Sequence, residues 1–263
     1  MTTALHRTPA TATRRLGAVG VALGMAIAVS WPISLPLLGV SERVSVVLAL
    51  GAMPLLLVAS LWFVQSALTS IRLIALVGVL AALGAVARLT SVGLGGLEWV
   101  FIVAILSGRA LGARAGFVVG ALSIAVSSLV WGGVGPWTAF QMAGVGAVAA
   151  GAGLLPRTES TTDGVRLSRL DVAHLAGYGV VASYLFGLLM NLWFWPLAVG
   201  PDTAISFDAG SPLWENVSRF LVFSLTTSTV TWDTVRALVT AIGVVVLARP
   251  FLNAVGRVYR RRD

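Results

Sequence analysis

The chain has 263 residues, of which 57% are hydrophobic and only 11% are charged, and its formal net charge is +8. Soluble domains carry about 25% charged residues, so this composition indicates a protein that exposes its outer surface to lipid. The sequence contains no Cys and no Lys. Disulfides and thiolate metal sites are therefore excluded, as is an ATP-binding P-loop, whose Lys contacts the phosphates.

Catalysis, metal binding and nucleic-acid binding are not expected. The two His residues, His6 and His174, lie far apart in the sequence, so we predict no metal site. No paired-carboxylate motif and no Gly-x-Ser-x-Gly motif is present, and we predict neither catalytic residues nor a cofactor. The Arg residues lie in short segments between apolar runs, which is typical of membrane topology rather than of nucleic-acid binding.

Eight apolar runs predict an all-α fold, a polytopic bundle of about eight transmembrane helices. About 20 apolar residues cross a hydrocarbon core of about 30 Å, and the first two runs carry no charge, whereas the fourth is shorter. Because Arg14 and Arg15 precede the first run, a cleaved signal peptide is the alternative for that segment. The predicted spans are residues 16–38, 44–68, 73–87, 97–111, 115–131, 137–155, 172–199 and 232–248.

The segment before the last span has two parts. Residues 200–217 are polar and contain Asp202, Asp208 and Glu215, so we predict an outer loop. Residues 220–231 are apolar at first and then rich in Ser and Thr. They are too short to cross a membrane alone, and we expect a re-entrant or surface segment.

The distribution of Arg predicts the orientation in the cell membrane. Cytoplasmic loops carry an excess of basic residues. With the N-terminus inside, fourteen Arg residues fall on the cytoplasmic side, and Arg43, Arg88, Arg219 and Arg236 fall outside. An even number of spans then places the C-terminus in the cytoplasm as well. Residues 157–171, rich in Ser, Thr, Asp and Gly, are predicted to be a flexible cytoplasmic linker.

Tryptophan is distributed unevenly between the two predicted faces. Only Trp62 falls near the inner face, although aromatic belts form at both interfaces of a membrane. This asymmetry favours an outward-facing aromatic pocket, with a one-sided belt as the alternative. The Trp residues at predicted outer ends and loops are Trp31, Trp99, Trp131, Trp137, Trp193, Trp195, Trp214 and Trp232.

Polar residues fall at the same predicted level, and ionisable groups at membrane depth are functional candidates. Asp233 and Arg236 are spaced i, i+3, so pairing on one helix face is an equal alternative for them. Ser91 also belongs to this level. The candidate ligand-binding residues are Arg88, Glu98, Trp131, Trp137, Gln141, Asn191, Trp193, Trp195 and Asp233.

Residues 72–155 resemble the substrate-binding S components of energy-coupling factor (ECF) transporters, and the likeness extends to about residue 255. It rests on a small-residue helix ending at Arg88, a short second helix and two motifs. These motifs are Gly-Arg-Ala-Leu-Gly-Ala-Arg-Ala-Gly at 108–116 and Gly-Pro-Trp-Thr-Ala-Phe-Gln-Met at 135–142.

The resemblance implies a six-helix substrate-binding core at residues 71–255 with a vitamin-type ligand near the outer face. It also implies a separate membrane coupling subunit and two ATPase subunits as partners. Small residues on the first core helix would contact the coupling subunit, here Gly78, Ala81, Ala82 and Ala85. The Gly-Pro-Trp-Thr pattern is similar to that of cobalamin-type members.

The chain departs from the family in its N-terminal part. Residues 1–70 form an N-terminal tail and two extra predicted helices, and residues 256–263 form a basic cytoplasmic tail. A stand-alone small-molecule permease or exporter is the alternative function, and a structural or assembly protein of the membrane is the third.

The predicted topology is testable in this Cys-free chain. Single Cys residues replacing Ser160 and Ala209 should lie on opposite sides of the membrane, because the Arg distribution places 157–171 inside and 200–217 outside. An impermeant thiol reagent added to intact cells should label the Ala209→Cys protein and not the Ser160→Cys protein. Labelling of both from one side would contradict the topology.

Overall fold

The computed structural model describes residues 19–21, 23–65, 70–91, 93–131, 133–156, 167–200, 203–208 and 210–260. All regular secondary structure in these residues is helical, so the all-α prediction is confirmed. The helices are α1 (Val19–Val29), α2 (Trp31–Leu37), α3 (Glu42–Gln65), α4 (Ile71–Leu89), α5 (Val100–Leu111), α6 (Ala113–Trp131), α7 (Pro136–Leu154), α8 (Arg169–Ala198), α9 (Leu213–Ser224), the π segment (Leu225–Asp233) and α10 (Thr234–Arg260).

The apolar helices are compatible with a multi-pass membrane protein. In the described residues, five helices are long and apolar enough to span a membrane, and the bent pair α1–α2 would make a sixth. Helix α5 is shorter, at 12 residues, and nine of them are buried. A helix enclosed by other helices does not have to match the bilayer thickness with its own apolar surface, which explains its length.

The structure adds detail to two of the predicted segments. The predicted first span is a pair of helices bent by 102°, because Pro32 lacks an amide hydrogen and is accommodated in the first turn of α2. Residues 220–231, predicted to be a re-entrant or surface segment, are helical and continuous with α10. Its Thr hydroxyls bond to carbonyls one turn earlier, as Thr227 does to Phe223 O at 2.7 Å, so the polar run remains within a helix.

Side-chain contacts define two ends of the bundle. At the Arg88 end, Arg88 of α4 contacts Gln141 of α7. At the Arg109 end, Arg109 of α5 donates to the Leu155 carbonyl at 2.7 Å and pairs with Asp171 of α8 at 3.1 Å. The Arg88 end therefore holds the ends of α4, α6 and α8 and the beginnings of α5, α7 and α10. The predicted linker and the terminal segments 1–18 and 261–263 lie wholly or mostly outside the described residues.

Glycine allows α5, α6 and α7 to approach each other closely. A Cβ atom on Gly108 of α5 would overlap the carbonyl oxygen of Ala149 in α7, and one on Gly120 of α6 would lie 2.6 Å from Val145 O. In lipid, the hydrophobic effect does not draw helices together, so close backbone approach supplies the energy of packing. Gly116 and Gly120 of α6 both contribute to this packing, whereas Gly112 does not, because no atom lies within 4 Å of a Cβ built on it.

The N-terminal helices pack on the remaining helices through an aromatic contact. Trp31 is 1% exposed, and its Nε1 donates to Trp193 O at 2.8 Å. Trp193 in turn stacks on Phe140 of α7, with ring centroids 4.4 Å apart. This contact places the N-terminal helices against α7 and α8.

The glycine contact between α5 and α7 yields a stability prediction. Gly108→Ala should lower the thermal midpoint in detergent, because the new methyl group collides with backbone that cannot rotate away. Gly177→Ala in α8 is the matched control: no atom lies within 4 Å of its added Cβ, and Ala is favoured over Gly in a helix by about 1 kcal/mol. Equal midpoints for the two variants would contradict the proposed packing.

Candidate functional site

A cavity of about 160 Å³ lies at the Arg88 end of the bundle. Its walls come from α4, α6, α7, α8 and the π segment, and the loop between α4 and α5 forms its rim. An engineered cavity of about 150 Å³ binds benzene, so this cavity has the volume of one small ring. The lining residues are Arg88, Ser91, Gly93, Leu94, Gly95, Gly96, Leu97, Glu98, Ile124, Gln141, Val145, Phe186 and Trp232.

The rim of the cavity depends on glycine. Gly93, Gly95 and Gly96 have φ angles of +80°, +52° and +86°, which non-glycine residues rarely adopt. A Cβ on Gly96 would also lie 2.5 Å from the carbonyl oxygen of Trp232. The loop therefore passes directly against the backbone of the π segment and brings Glu98 to the cavity.

Arg88 is held by neutral groups. Its Nη1 donates to Ser127 Oγ at 3.0 Å and Ser128 Oγ at 3.2 Å, and its Nη2 donates to Gln141 Oε1 at 2.9 Å. Among the described residues, no carboxylate lies within ion-pair distance of this guanidinium group. Its positive charge is therefore oriented at the cavity but is not neutralised by direct pairing.

Arg236 is held by two carboxylates. It contacts Asp233 Oδ1 at 2.7 Å, Glu98 Oε1 at 2.9 Å and the Ser183 carbonyl at 3.1 Å. Its Cζ also lies 5.3 Å and 5.2 Å from the ring centroids of Phe101 and Phe186, within cation–π range. The predicted i, i+3 pair is thus present, and Arg236 additionally connects α10 to the residues before α5.

The carboxylate of Asp233 occupies space that a missing side chain leaves in α8. Asp233 is 1% exposed, and a Cβ on Gly187 would overlap its carboxylate group. Ser228 donates to Asp233 Oδ2 at 3.3 Å, and Asn191 donates to Ser228 at 2.6 Å. Asn191 therefore supports the π segment and the ion pair from α8 and does not line the cavity.

The four Trp residues predicted to bind ligand do not line the cavity. Trp131 and Trp137 are 62% and 42% exposed on the outside. Trp193 stacks on Phe140 beneath the N-terminal helices, and Trp195 donates to the Ile205 carbonyl at 2.7 Å beneath the loop before α9. Their shared level along the membrane axis does not bring them to one face, because each projects from its helix in a different direction.

The predicted docking residues on α4 divide between two faces. Ala81 and Ala85 are each 3% exposed, so they pack inside the bundle and are not part of its accessible surface. They share the buried side of α4 with Gly84, which packs against Ser123 of α6. Gly78 and Ala82 are exposed, and docking at these two positions remains a prediction.

The cavity contains residues that the sequence did not single out for ligand binding. Phe186 belongs to an apolar run of α8 with no distinguishing motif. Ser127 and Ser128, which hold Arg88 beside the cavity, lie in a small-residue helix that gives no such signal either. The glycine-rich segment 93–96 was the available signal, because three glycines in four residues predict an irregular backbone. For Trp232 the sequence predicted only a position among the eight Trp residues at outer ends and loops.

No protein-family model, no curated protein and no solved structure matches the chain. In the part of the chain that the structure describes, no three His, Asp or Glu side chains converge as metal ligands would. A cobalamin is many times larger than the single ring that this cavity accommodates, so the cavity volume favours a smaller ligand. The cavity geometry is therefore the strongest basis for a functional proposal.

The buried ion pair yields a second stability prediction. Asp233→Ala should lower the free energy of unfolding by on the order of 3 kcal/mol, because it removes one partner of a buried pair. Glu215→Ala is the control: its pair with Arg219 is half-exposed, so the loss should be below about 1 kcal/mol. Reversible denaturation in mixed micelles measures both, and similar losses would contradict a stabilising role for the buried pair.

Proposed function

We propose that the chain is the membrane-embedded substrate-binding subunit of an ECF-type importer for a vitamin or similar micronutrient. The observation that carries the proposal is the cavity at the Arg88 end, where Arg88, Glu98 and Gln141 line a space within a bundle of apolar helices. Ionisable groups at such a depth mark substrate sites in membrane proteins.

Binding, rather than catalysis, is the role that the lining residues favour. Arg88 and Arg236 are fixed by hydrogen bonds, and the cavity is lined by neither a Cys nor a His that would serve as nucleophile or general base. Without a P-loop, the chain needs other subunits to couple ATP hydrolysis to uptake. We therefore propose a coupling subunit and two ATPase subunits as partners.

The positions of Arg in the fold support an outward-facing cavity and cytoplasmic termini. Arg72, Arg114, Arg169 and Arg257 lie at or near the beginnings of α4, α6 and α8 and the end of α10, at the Arg109 end. Basic residues concentrate on the cytoplasmic side of membranes. The Arg88 end would then face outward, where a substrate arrives.

Gly78 and Ala82 support a docking surface on α4. They lie one helical turn apart, and no atom lies within 4 Å of a Cβ built on Gly78. Small residues on an exposed helix face allow another transmembrane helix to approach closely. The N-terminal helices pack on α7 and α8 and leave this part of α4 uncovered.

Affinity purification from native membranes tests the proposal. The tagged chain should retain a membrane subunit and two ATPases, recognisable in mass spectrometry by their P-loop sequences. Gly78→Trp with Ala82→Trp should reduce their recovery at least tenfold, because bulky side chains hold a partner helix away. Val181→Trp with Leu185→Trp is the matched control at the same spacing on exposed positions of α8, and it should leave recovery unchanged.

Two outcomes would contradict the proposal. Recovery of the folded chain without any P-loop ATPase would exclude an ECF-type assembly. Uptake of a ligand in a host without coupling subunits would instead indicate a stand-alone permease. Mass spectrometry of small molecules that remain bound to the purified chain identifies the ligand for that uptake assay.

A further inference from the structure

We infer that the cavity takes a compact zwitterion built on one ring, with its anionic group at Arg88 and its protonated nitrogen at Glu98. The inference rests on the proposed binding function and specifies the class of substrate. Three features of the cavity carry it: the balance of its charges, the polar atoms left without partners, and its volume.

The charges at the site sum to zero. Arg88 and Arg236 are positive, Glu98 and Asp233 are negative, and Arg236 contacts both carboxylates. A ligand with a net charge would leave one charge uncompensated in a region of low dielectric constant, which is costly. A ligand with balanced charges leaves the sum at zero.

The positive side of the cavity needs an anion. Arg88 donates only to two hydroxyl groups and one amide oxygen, so no carboxylate of the described residues pairs with it. Charge-assisted hydrogen bonds are about twice as strong as neutral ones. A ligand carboxylate near Arg88 would therefore gain more than a neutral acceptor, and the guanidinium group can bind both of its oxygens.

Glu98 provides a hydrogen-bond acceptor on the negative side of the cavity. Glu98 binds Arg236 through Oε1, and within the described residues Oε2 has no hydrogen-bond partner, while the side chain remains 32% exposed. The Gln141 oxygen faces Arg88, so its amide nitrogen, which has no partner among the described residues, is left for an acceptor on the ligand. A protonated amine or ring nitrogen fits Glu98.

Apolar surface between these groups fits a flat ring. The cavity is lined by the buried side chains of Phe186, Ile124 and Val145. Trp232 also lines it, with 46% of its surface exposed. A cavity of about 160 Å³ accommodates one ring with small substituents. It excludes a fused macrocycle.

A ring-matched series of probes tests the inference. Purified protein in lipid nanodiscs is titrated with benzoate, benzylamine, benzamide and the meta and para isomers of (aminomethyl)benzoate, and empty nanodiscs give the background. Binding is measured by calorimetry and by the change in intrinsic Trp fluorescence, since Trp232 is the one Trp among the described residues that lines the cavity. The better zwitterionic isomer should bind at least tenfold more tightly than each of the other three compounds, because it gains a second charge-assisted contact.

Variants assign each charge to its residue. Arg88→Gln should reduce the affinity for the zwitterion to that for benzylamine, and Glu98→Gln should reduce it to that for benzoate. Arg88→Lys keeps the charge and should keep most of the preference for a carboxylate. Arg219→Gln and Glu215→Gln are the controls, since this pair lies outside the cavity and the substitutions should leave all affinities unchanged.

The outcomes separate the ligand class from the proposed function. Equal or tighter binding of benzamide, or no binding of any probe by protein with a normal thermal midpoint, would overturn the zwitterion inference even if ATPase subunits co-purify. Selective binding of the zwitterion that survives Arg88→Gln in folded protein would also overturn it. Selective binding that is lost in both cavity variants supports it, whether or not ATPase subunits are recovered.

Discussion

The placement of one buried cation organises the Arg88 end of this molecule. Arg236 lies among apolar helices, where an unpaired charge would be prohibitively costly, and two carboxylates, a carbonyl and two aromatic rings compensate it. These partners come from three parts of the chain: the start of α5, the middle of α8 and the end of the π segment. Pairing with Glu98 draws the loop before α5 onto α10, and contact with Ser183 fixes α8. The cavity lies beside the elements held in this way.

The π segment ends at Asp233, three residues before this cation on the same helix. The wider π-helical turns change the direction of the side chains that follow, and such segments are frequent at functional sites. In this chain the segment ends at Asp233, and the absence of a side chain at Gly187 leaves room for its carboxylate. Asn191 and Ser228 then support the turn by hydrogen bonds. The local irregularity and the missing Cβ are therefore two parts of one arrangement.

The resemblance to ECF substrate-binding subunits and the geometry support the same general role from different directions. The resemblance implies an outer-face site, and under the proposed function that site would be the cavity at the Arg88 end, which has neutral total charge and the volume of one ring. The resemblance and the structure differ in two respects, the size of the ligand and the position of the small residues on α4. Ala81 and Ala85 face inward. The N-terminal helices, absent from the family core, add an aromatic contact to α8 through Trp31.

The lengths of the apolar runs determined from the sequence alone where the helices begin and end, because charged residues limit which segments can enter lipid. The α4 to α8 boundaries accordingly fall within a few residues of those predicted. Arg88, Glu98 and Gln141, which were predicted to lie at one level, all line the cavity. Trp193 and Trp195 were not expected to diverge, since run length fixes the depth of a residue but not the direction in which it points. That direction depends on helix rotation, which is set by contacts such as Gly108 with Ala149 and by the Arg236 pair, and only the packed bundle decides these.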